Sequence, residues 1–293
     1  MRNNTRMYWL QAITPLHVGA GKGVGFIDLP IMREKVTNWP LVPGSAVKGV
    51  MRDHFEQREK VESNLISAAF GKADKDNESN AGSLVLTDAH IVCMPVRSLY
   101  GTFAYTTSPL VLERLKRDLE AAGYNDLPQP PSPKVDSEAF FTTDKIVHDN
   151  RIFFEDLDFN ATPDENTNKW ADKLAKILFS TDTKWQTIFK ERFAILSDDS
   201  FNFLAETTTE IAARIRIEPE KKIVKQGALW YEESLPTETI LAGIAWCDKV
   251  YGGNGISQER IIETFCNNSG LNLQIGGKAT VGKGRVKCLF TEG

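Results

Sequence analysis

"ETILAGIAWC", residues 238–247, opens the part of the chain that decides its fold class. This segment predicts a strand, "SQERIIETFCNN" (257–268) predicts an amphipathic helix, and "LNLQIG" (271–276) predicts another strand. A glycine-rich loop, "GKATVGKG" (277–284), then leads to a final strand, "RVKCLF" (285–290). The order β-α-β-loop-β is typical of one half of a ferredoxin-like, RRM-type domain. We therefore predict an α/β (α+β) fold.

The other half of this domain is predicted near the N-terminus. "MYWLQAITPLHV" (7–18) has the composition of a strand that ends near Thr14, and "SAVKGVMRDHFEQREKV" (45–61) has the pattern of a helix. In the middle of the chain, "WADKLAKILF" (170–179) and "TKWQTIFKERF" (183–193) predict short amphipathic helices. We therefore expect a helical insertion within an α/β framework.

These patterns divide the chain into four parts. From residue 198 onward we again expect strands, and "TEIAARIRIEPEKKIVKQGALWYEE" predicts a hairpin with its turn at Glu218 to Lys221. The parts are 1–100, the N-terminal part of the RRM-like domain; 101–197, a helical insertion with a proline-rich linker; 198–236, the hairpin region; and 237–293, the C-terminal part with the glycine-rich loop.

The totals are those of an ordinary globular chain of 293 residues with a formal net charge of −4. No apolar run approaches the roughly 20 residues of a membrane span, and the start of the chain lacks the apolar core of a signal peptide. The four cysteines form no C-x-x-C pair, so neither a zinc site nor a disulfide framework is predicted. We expect a cytoplasmic protein with no membrane partner. Because its net charge is negative, any nucleic-acid site must be a local basic groove.

The start of the first predicted helix, "PGSAVKG", has the features of an anion site. Ser45 is a good N-cap, but Lys48 stands where a capping box has Glu or Gln. A cation at this position interacts unfavourably with the helix dipole, at a cost of up to about 1 kcal/mol. A bound phosphate would explain this arrangement, because free N–H groups, Ser45 and Lys48 would all contact it. Gly44 would allow close approach, and Arg52 would extend the positive strip. The alternative is a solvated lysine on an ordinary helix.

Two further segments concentrate positive charge. In "IGGKATVGKGRVK" (275–287), four glycines accompany Lys278, Lys283, Arg285 and Lys287, so backbone N–H groups and cations are both available to phosphate oxygens. The segment is neither a P-loop nor a G-x-G-x-x-G fingerprint, and the alternative is a glycine-rich hairpin with basic flanks.

The second of these segments is "RIRIEPEKKIVK" (214–225), in which basic and apolar residues alternate along a predicted ribbon. Successive side chains of a strand point to opposite faces, so one face is expected to be basic and the other apolar. Such a ribbon suits a phosphate backbone or insertion between bases, whereas the common alternative is a solvated hairpin face. The basic residues are Arg214, Arg216, Lys221, Lys222 and Lys225.

Together these segments resemble the RAMP superfamily of CRISPR proteins, and within it the backbone subunits of the type III-B effector, the Cmr complex. The superfamily pattern P-G-S-x-x-K-G-x-x-R matches residues 43–52, and the terminal glycine loop matches residues 275–284. "IDLPIMRE" (27–34) resembles the backbone subunits specifically, and "GALWYEESLP" (227–236) matches the base of the family's hairpin. The middle of the chain shows no such match.

The resemblance implies an RRM-derived palm, helical fingers and a protruding β-hairpin thumb. It implies that copies of the chain stack into a helical filament along CRISPR RNA, together with other subunits of the effector complex. Members of this family cut complementary single-stranded target RNA at regular intervals, and the thumb interrupts the guide–target duplex at each step. The resemblance implies a metal-dependent endoribonuclease with 2′,3′-cyclic phosphate and 5′-hydroxyl products, active within the complex.

The same resemblance implies the catalytic residues. The essential carboxylate of the family lies in the motif matched by Asp28, which would hold a weakly bound divalent ion, Mg²⁺ or Mn²⁺, or help deprotonate a 2′-hydroxyl. His17 would assist as an acid or a base, and the alternative is a hydrogen-bonded loop histidine. An acidic residue of the thumb base matches Glu232 or Glu233, and we favour Glu233. By spacing alone, Asp28 would instead cap a turn.

Three other functions stay open at this stage. In the first, cleavage occurs elsewhere and the chain is an inert RNA-binding scaffold. In the second, the chain is a sibling RAMP subunit or a guide-processing nuclease. A stand-alone enzyme acting on a small nucleotide is a third alternative, which the absence of a P-loop disfavours. For the RNA-binding functions we expect Ser45, Lys48 and the turn near Lys283 to border one basic channel.

Overall fold

The computed structural model describes residues 4–293 except 22, 24, 58–60, 73–78, 219, 221, 223 and 254, and it leaves the side chains of 225 and 226 undescribed. Its strands are β1 (Thr5–Ala12), β2 (Leu41–Val42), β3 (Val85–Leu86), β4 (Ala89–Arg97), β5 (Phe103–Thr107), β6 (Glu138–Phe141), β7 (Arg151–Phe154), β8 (Leu157–Pro163), β9 (Phe193–Leu196), β10 (Glu210–Ile217), β11 (Val224–Ser234), β12 (Ile240–Trp246), β13 (Leu271–Gln274) and β14 (Arg285–Thr291). Its helices are α1 (Gly44–Gln57), α2 (Ser63–Phe70), α3 (Pro109–Ala121), α4 (Glu165–Leu178), α5 (Thr183–Lys190), α6 (Asp198–Thr207) and α7 (Gln258–Phe265).

One large mixed sheet organises the molecule. Its main path runs β13-β14-β1-β12-β4-β5-β9-β6-β8-β7, with β2 beside β4 and β3 beside β12. The strands predicted at the two ends of the chain therefore lie side by side, because β1 pairs with both β12 and β14. The predicted mixed α/β fold is confirmed, and the order β12-α7-β13-loop-β14 is the one that the C-terminal sequence indicated.

The central strand β1 is buried on both faces of the sheet. Tyr8 and Leu10 pack into a core with α1, α2 and α7, whereas Met7 and Trp9 pack into a core with α3 and α4 on the opposite face. Burial on both faces explains why Met7 to Leu10 are all apolar instead of alternating with polar residues.

Residues 101–197 are less helical than the sequence predicted. They contain α3, α4 and α5 as expected, but they also contribute β5 to β9, which extend the sheet. These strands are four to seven residues long, and periodicity cannot identify apolar runs of that length. Strands were also expected from residue 198, but α6 begins there. Ser197 is the N-cap of this helix, and its hydroxyl oxygen accepts the Ser200 N–H. Helix α2 was not predicted.

The hairpin β10–β11 forms a separate two-stranded sheet. Its strands end at Ile217 and resume at Val224, around the predicted turn, of which Pro219 and Lys221 lie outside the described residues. The register places Ile215 opposite Leu229 on one face and Arg214 opposite Trp230 on the other, so apolar and basic side chains separate as expected. Ile215 and Leu229 are 49% and 54% exposed, so the residues that the structure describes leave about half of these apolar side chains uncovered.

No helix in the described ranges is long and apolar enough to cross a bilayer.

Candidate functional site at the hairpin base

Four segments that are distant in sequence meet where the hairpin joins the large sheet. Leu16 and Leu235 exchange two backbone hydrogen bonds of 2.9 Å, and Gly277 N–H donates to the His17 carbonyl oxygen over 2.9 Å. Residues 28–33 run beside β11, with Leu29 and Glu232 forming a parallel bridge. We call this region the hairpin-base site and define it by His17, Asp28, Glu232, Glu233 and Lys278.

Asp28 is held by one carboxylate oxygen and open at the other. Its Oδ2 accepts the backbone N–H of Tyr231 at 2.8 Å, and Leu29 N–H donates to the Tyr231 carbonyl at 3.1 Å. The side chain is exposed, and no described residue forms a hydrogen bond with Oδ1. The carboxylate thus combines a backbone-capping contact with an oxygen that remains available to a ligand.

His17 is buried, and its tautomer is fixed by the hairpin. Its Nδ1 lies 2.6 Å from the carbonyl oxygen of Glu233, and a carbonyl oxygen only accepts hydrogen bonds. Nδ1 therefore carries the proton, and in the neutral ring Nε2 is an acceptor. Gly19 lies beside this atom, since a Cβ added there would be 3.0 Å from Nε2. The predicted loop histidine is thus both hydrogen-bonded and able to accept a proton.

Glu233 is buried, and both of its carboxylate oxygens are occupied. Oε1 accepts from Arg33 Nη2 at 2.6 Å and from Thr209 Oγ1 at 2.9 Å, while Oε2 accepts the Ile31 N–H at 3.0 Å. These contacts connect the loop that carries Asp28 to the hairpin and to the end of α6. The geometry supports a positioning role for Glu233, and the catalytic role predicted for it stays a prediction.

Glu232 points to the other face of β11 and pairs with two of the predicted RNA-binding cations. Lys278 Nζ lies 2.7 Å from Oε1, and Arg214 Nε lies 3.3 Å from Oε2. Trp230 Nε1 also donates to Oε1, at 2.8 Å. Burial raises the pKa of Glu232, but hydrogen bonds from Lys278 and Trp230 and the nearby positive charges outweigh it and lower the pKa to about 2. The carboxylate is therefore ionised at neutral pH and neutralises part of the local positive charge.

The other predicted cations lie in different surroundings. Lys283 is only 7% exposed, its Nζ donates to Ser234 Oγ at 2.7 Å, and burial, followed by the Arg214 charge, lowers its pKa. Arg216 is exposed on the basic face of the hairpin. Arg285 instead lines a groove of about 510 Å³ between α1 and β13–β14, together with Asp53 and Gln274.

The start of α1 differs from the sequence-based prediction. The helix begins at Gly44, so Ser45 lies within the first turn and is not the N-cap, and Asp88 Oδ1 already accepts the Gly44 N–H at 2.9 Å. Lys48 Nζ donates to the Leu84 carbonyl at 2.6 Å, which explains a cation in this turn, and burial lowers its pKa. Arg52 pairs with Glu56 at 2.8 Å.

Lys48 and Lys283 have different hydrogen-bond partners. Lys48 donates to the segment before β3, and Lys283 donates to the end of β11. The single basic channel, and RNA binding by the residues proposed to line it, stay predictions.

The residues missed by sequence reasoning are Arg33, Thr209, Tyr231 and Phe26. Arg33 lies in the "IDLPIMRE" motif, but no role was assigned to it, because a charged residue followed by Glu34 and Lys35 gives no sign of burial. Thr209 carries no local signal, because it reaches Glu233 only through the path of the fold. Phe26 is 71% exposed and stacks on Tyr231 with a centroid distance of 4.7 Å.

The capacity of the hairpin base for a metal ion depends on Asp28. Throughout the part of the chain that the structure describes, no three His, Cys, Asp or Glu side chains are arranged to hold an ion. Both carboxylate oxygens of Glu232 and of Glu233 accept hydrogen bonds from protein groups, whereas Asp28 Oδ1 is open. One carboxylate fits a divalent ion that takes its remaining ligands from water and phosphate, as Mg²⁺ commonly does.

Close backbone packing supports the position of His17 and yields a first prediction. Gly276 has φ +77°, and an added Cβ would lie 2.3 Å from the His17 carbonyl oxygen. Gly282 has φ +83° with open space around an added Cβ, so it controls for backbone strain alone. We expect Gly276→Ala to lower the free energy of unfolding by about 1–3 kcal/mol more than Gly282→Ala, as measured by thermal unfolding. Equal melting temperatures of the two variants would contradict the close approach.

Comparison with known proteins agrees with this arrangement of motifs. The family model of the RAMP superfamily matches residues 9–287. "CRISPR system Cmr endoribonuclease Cmr4" of Pyrococcus furiosus is 37% identical over 284 residues, covering 97% of this chain and 94% of the relative. The crystal structure of oligomeric Cmr4 from Pyrococcus furiosus has a TM-score of 0.77 at 31% identity, covering 99% of this chain and 98% of that one.

A more distant structure shares the fold alone. The cryo-EM structure of the Type III-B Cmr-beta bound to cognate target RNA has a TM-score of 0.75 at 21% identity, covering 98% of this chain and 96% of that one. Because the family model and the Pyrococcus relative both span nearly the whole chain, this protein belongs to the RAMP superfamily.

Proposed function

We propose that this protein is the backbone subunit of a type III-B CRISPR effector, which binds CRISPR RNA as a filament and cleaves complementary target RNA. The observation that carries the proposal is Asp28, fixed by the Tyr231 N–H with its second oxygen open, in the motif that resembles the backbone subunits. The endoribonuclease Cmr4 of Pyrococcus furiosus, 37% identical across 97% of this chain, supports the same activity. The relative solved as an oligomer supports self-assembly.

The proposed reaction is attack of a 2′-hydroxyl on the adjacent phosphorus. The new O2′–P bond forms while the P–O5′ bond breaks, which leaves a 2′,3′-cyclic phosphate and a 5′-hydroxyl. The reaction consumes no water, because the 2′-hydroxyl loses its proton and the departing O5′ gains one. The two protein groups available for proton transfer are the open Asp28 oxygen and the acceptor Nε2 of His17.

Both groups are anchored to the same strand. Asp28 is bonded to Tyr231 and His17 to Glu233, which lie two residues, or about 7 Å, apart along β11. The hairpin therefore supplies the frame that holds both groups in register, and in-line geometry of the RNA supplies much of the rate enhancement.

Asp28 is also the residue that would hold a divalent ion, Mg²⁺ or Mn²⁺. When bound, such an ion neutralises negative charge on the reacting phosphate. Lys278 and Arg214 lie at the same site, but Glu232 balances one of their two charges. Together these three side chains carry one net positive charge, beside the carboxylate of Asp28.

Self-assembly along RNA tests the proposed function. We expect size-exclusion chromatography with light scattering to show stepwise growth in units of one 32.8 kDa chain as single-stranded RNA is lengthened. The protein without RNA should keep one constant mass. A complex whose mass is independent of RNA length would contradict the filament and favour a small-nucleotide enzyme.

A further inference from the structure

An exposed pair of aromatic rings stands beside the open carboxylate. Phe26, a large apolar side chain in the loop before Asp28, is 71% exposed. Its ring stacks on Tyr231 with centroids 4.7 Å apart and an interplanar angle of 28°. Tyr231 therefore supports one face of Phe26, and the exposed surface of the Phe26 ring remains available to a ligand.

The aromatic pair and the carboxylate share one anchor. The Tyr231 N–H donates to Asp28 Oδ2, and Phe26 precedes Asp28 by two residues. A group that stacks on Phe26 is thereby brought next to Asp28.

The chemistry of the surrounding surface indicates what stacks there. Among the described residues of the same hairpin face, the exposed side chains Ile211, Ile215 and Leu229 are aliphatic, whereas Tyr231, next to Asp28, is aromatic. Aromatic rings are the side chains on which unpaired bases stack, with little dependence on base identity. The one exposed face of the Phe26 ring suits a single base, whereas a protein partner would need a far larger surface.

We propose that Phe26, backed by Tyr231, is a stacking platform for one unpaired base of the target RNA next to the cleaved linkage. This subsite rests on the proposed function, because it assigns the nucleotide that the site binds. Phe26 contacts the face of the base, which every base offers, so the platform places the sugar near Asp28 without selecting a base. Phe26 is accordingly a binding residue, and its loss should affect every target sequence alike.

Photo-crosslinking tests the platform directly. Target RNA carrying 5-iodouridine at successive positions is bound to the assembled complex in an Asp28→Asn background, so that the RNA stays intact. We expect a crosslink to Phe26 or Tyr231 from one position in each repeat, mapped by mass spectrometry. Phe26→Leu should reduce its yield at least fivefold, and Phe26→Trp should restore it. In the cleavage-competent complex, Phe26→Leu should slow single-turnover cleavage about tenfold for all sequences.

A second stacked pair provides the matched control. Tyr100 and His148 stack at 4.5 Å and 17°, so Tyr100→Leu removes a comparable ring that has no contact with Asp28 or Tyr231. This variant should leave crosslinking and cleavage unchanged. Equal crosslinking by wild type and Phe26→Leu in complexes that assemble normally overturns the platform alone. A Phe26→Leu variant that lowers the mass of the RNA-bound assembly also overturns it, because the ring then contacts a neighbouring copy. Failure of stepwise assembly in the wild type contradicts the proposed function instead.

Discussion

Replacing Asp28 with asparagine is expected to abolish target RNA cleavage while RNA-bound assembly persists. Asparagine keeps an oxygen that accepts the Tyr231 N–H, which Asp28 Oδ2 accepts at 2.8 Å, so the loop should keep its position. It removes the negative charge that proton transfer or a bound ion requires, an effect of roughly 10²–10⁴ in rate. The measurement is single-turnover cleavage of target RNA by the reconstituted complex, with RNA binding measured in parallel.

Asp88 provides the matched control for this substitution. It is also an exposed aspartate whose carboxylate accepts a backbone N–H, that of Gly44 at 2.9 Å, but it lies at the start of α1. Asp88→Asn should cleave at the rate of the wild type. A target with 2′-deoxyribose at the cleaved linkage should resist even the wild type, since the attacking group is missing. If Asp28→Asn cleaves normally, the chain is a binding scaffold and the cleavage is performed elsewhere.

Replacing Arg33 with methionine should both destabilise the fold and slow cleavage. Glu233 is 3% exposed at its side chain and Arg33 16%, and their Nη2–Oε1 distance is 2.6 Å. Removing the cation leaves a buried carboxylate without its partner, which costs about 3–5 kcal/mol. Because Glu233 also accepts the Ile31 N–H, three residues from Asp28, we expect the rate constant of cleavage to fall at least tenfold with little change in RNA affinity. Thermal unfolding and single-turnover kinetics measure the two effects.

Glu34, the residue next to Arg33, supplies a control, because its own ion pair joins it to α3 and not to the hairpin. Glu34 is bonded to Arg114 through both oxygens, at 2.8 and 2.7 Å, and these bonds lower its pKa to about 2. Arg114→Met breaks this pair on α3, away from the hairpin, so it should lower stability without changing the cleavage rate. Adding Glu233→Gln to Arg33→Met should recover part of the stability, because the unpaired charge is gone. A destabilised Arg33→Met that cleaves like the wild type would limit the Arg33–Glu233 pair to holding the fold.

The fold was predictable where secondary-structure signals were long or repeated. The C-terminal strands and α7 follow from alternation and helical spacing, and glycine and serine residues mark their ends. Strands such as β6 and β9 have only four residues, and their pairing joins segments more than fifty residues apart. Such contacts carry no local signal, so the insertion looked helical.

The site was predictable only in part, for a related reason. Asp28 and His17 belong to recognisable motifs, and the structure places both against β11. Lys48 shows the limit of pattern reasoning, because a lysine in a first helical turn suits a phosphate and the Leu84 carbonyl equally well. The Arg33–Glu233 pair joins residues 200 positions apart, and only the fold brings them together.

Adjacent acids on β11 face opposite sides, and this limits how the hairpin can change in length. Shifting a strand by one residue exchanges its two faces. A single inserted residue between Val224 and Glu232 would therefore turn Glu233 toward the face of Lys278 and Glu232 toward the face of Arg33. It would also displace the backbone groups that anchor His17 and Asp28. Length variation should accumulate at the tip beyond Ile217 and Val224, where strand pairing has already ended.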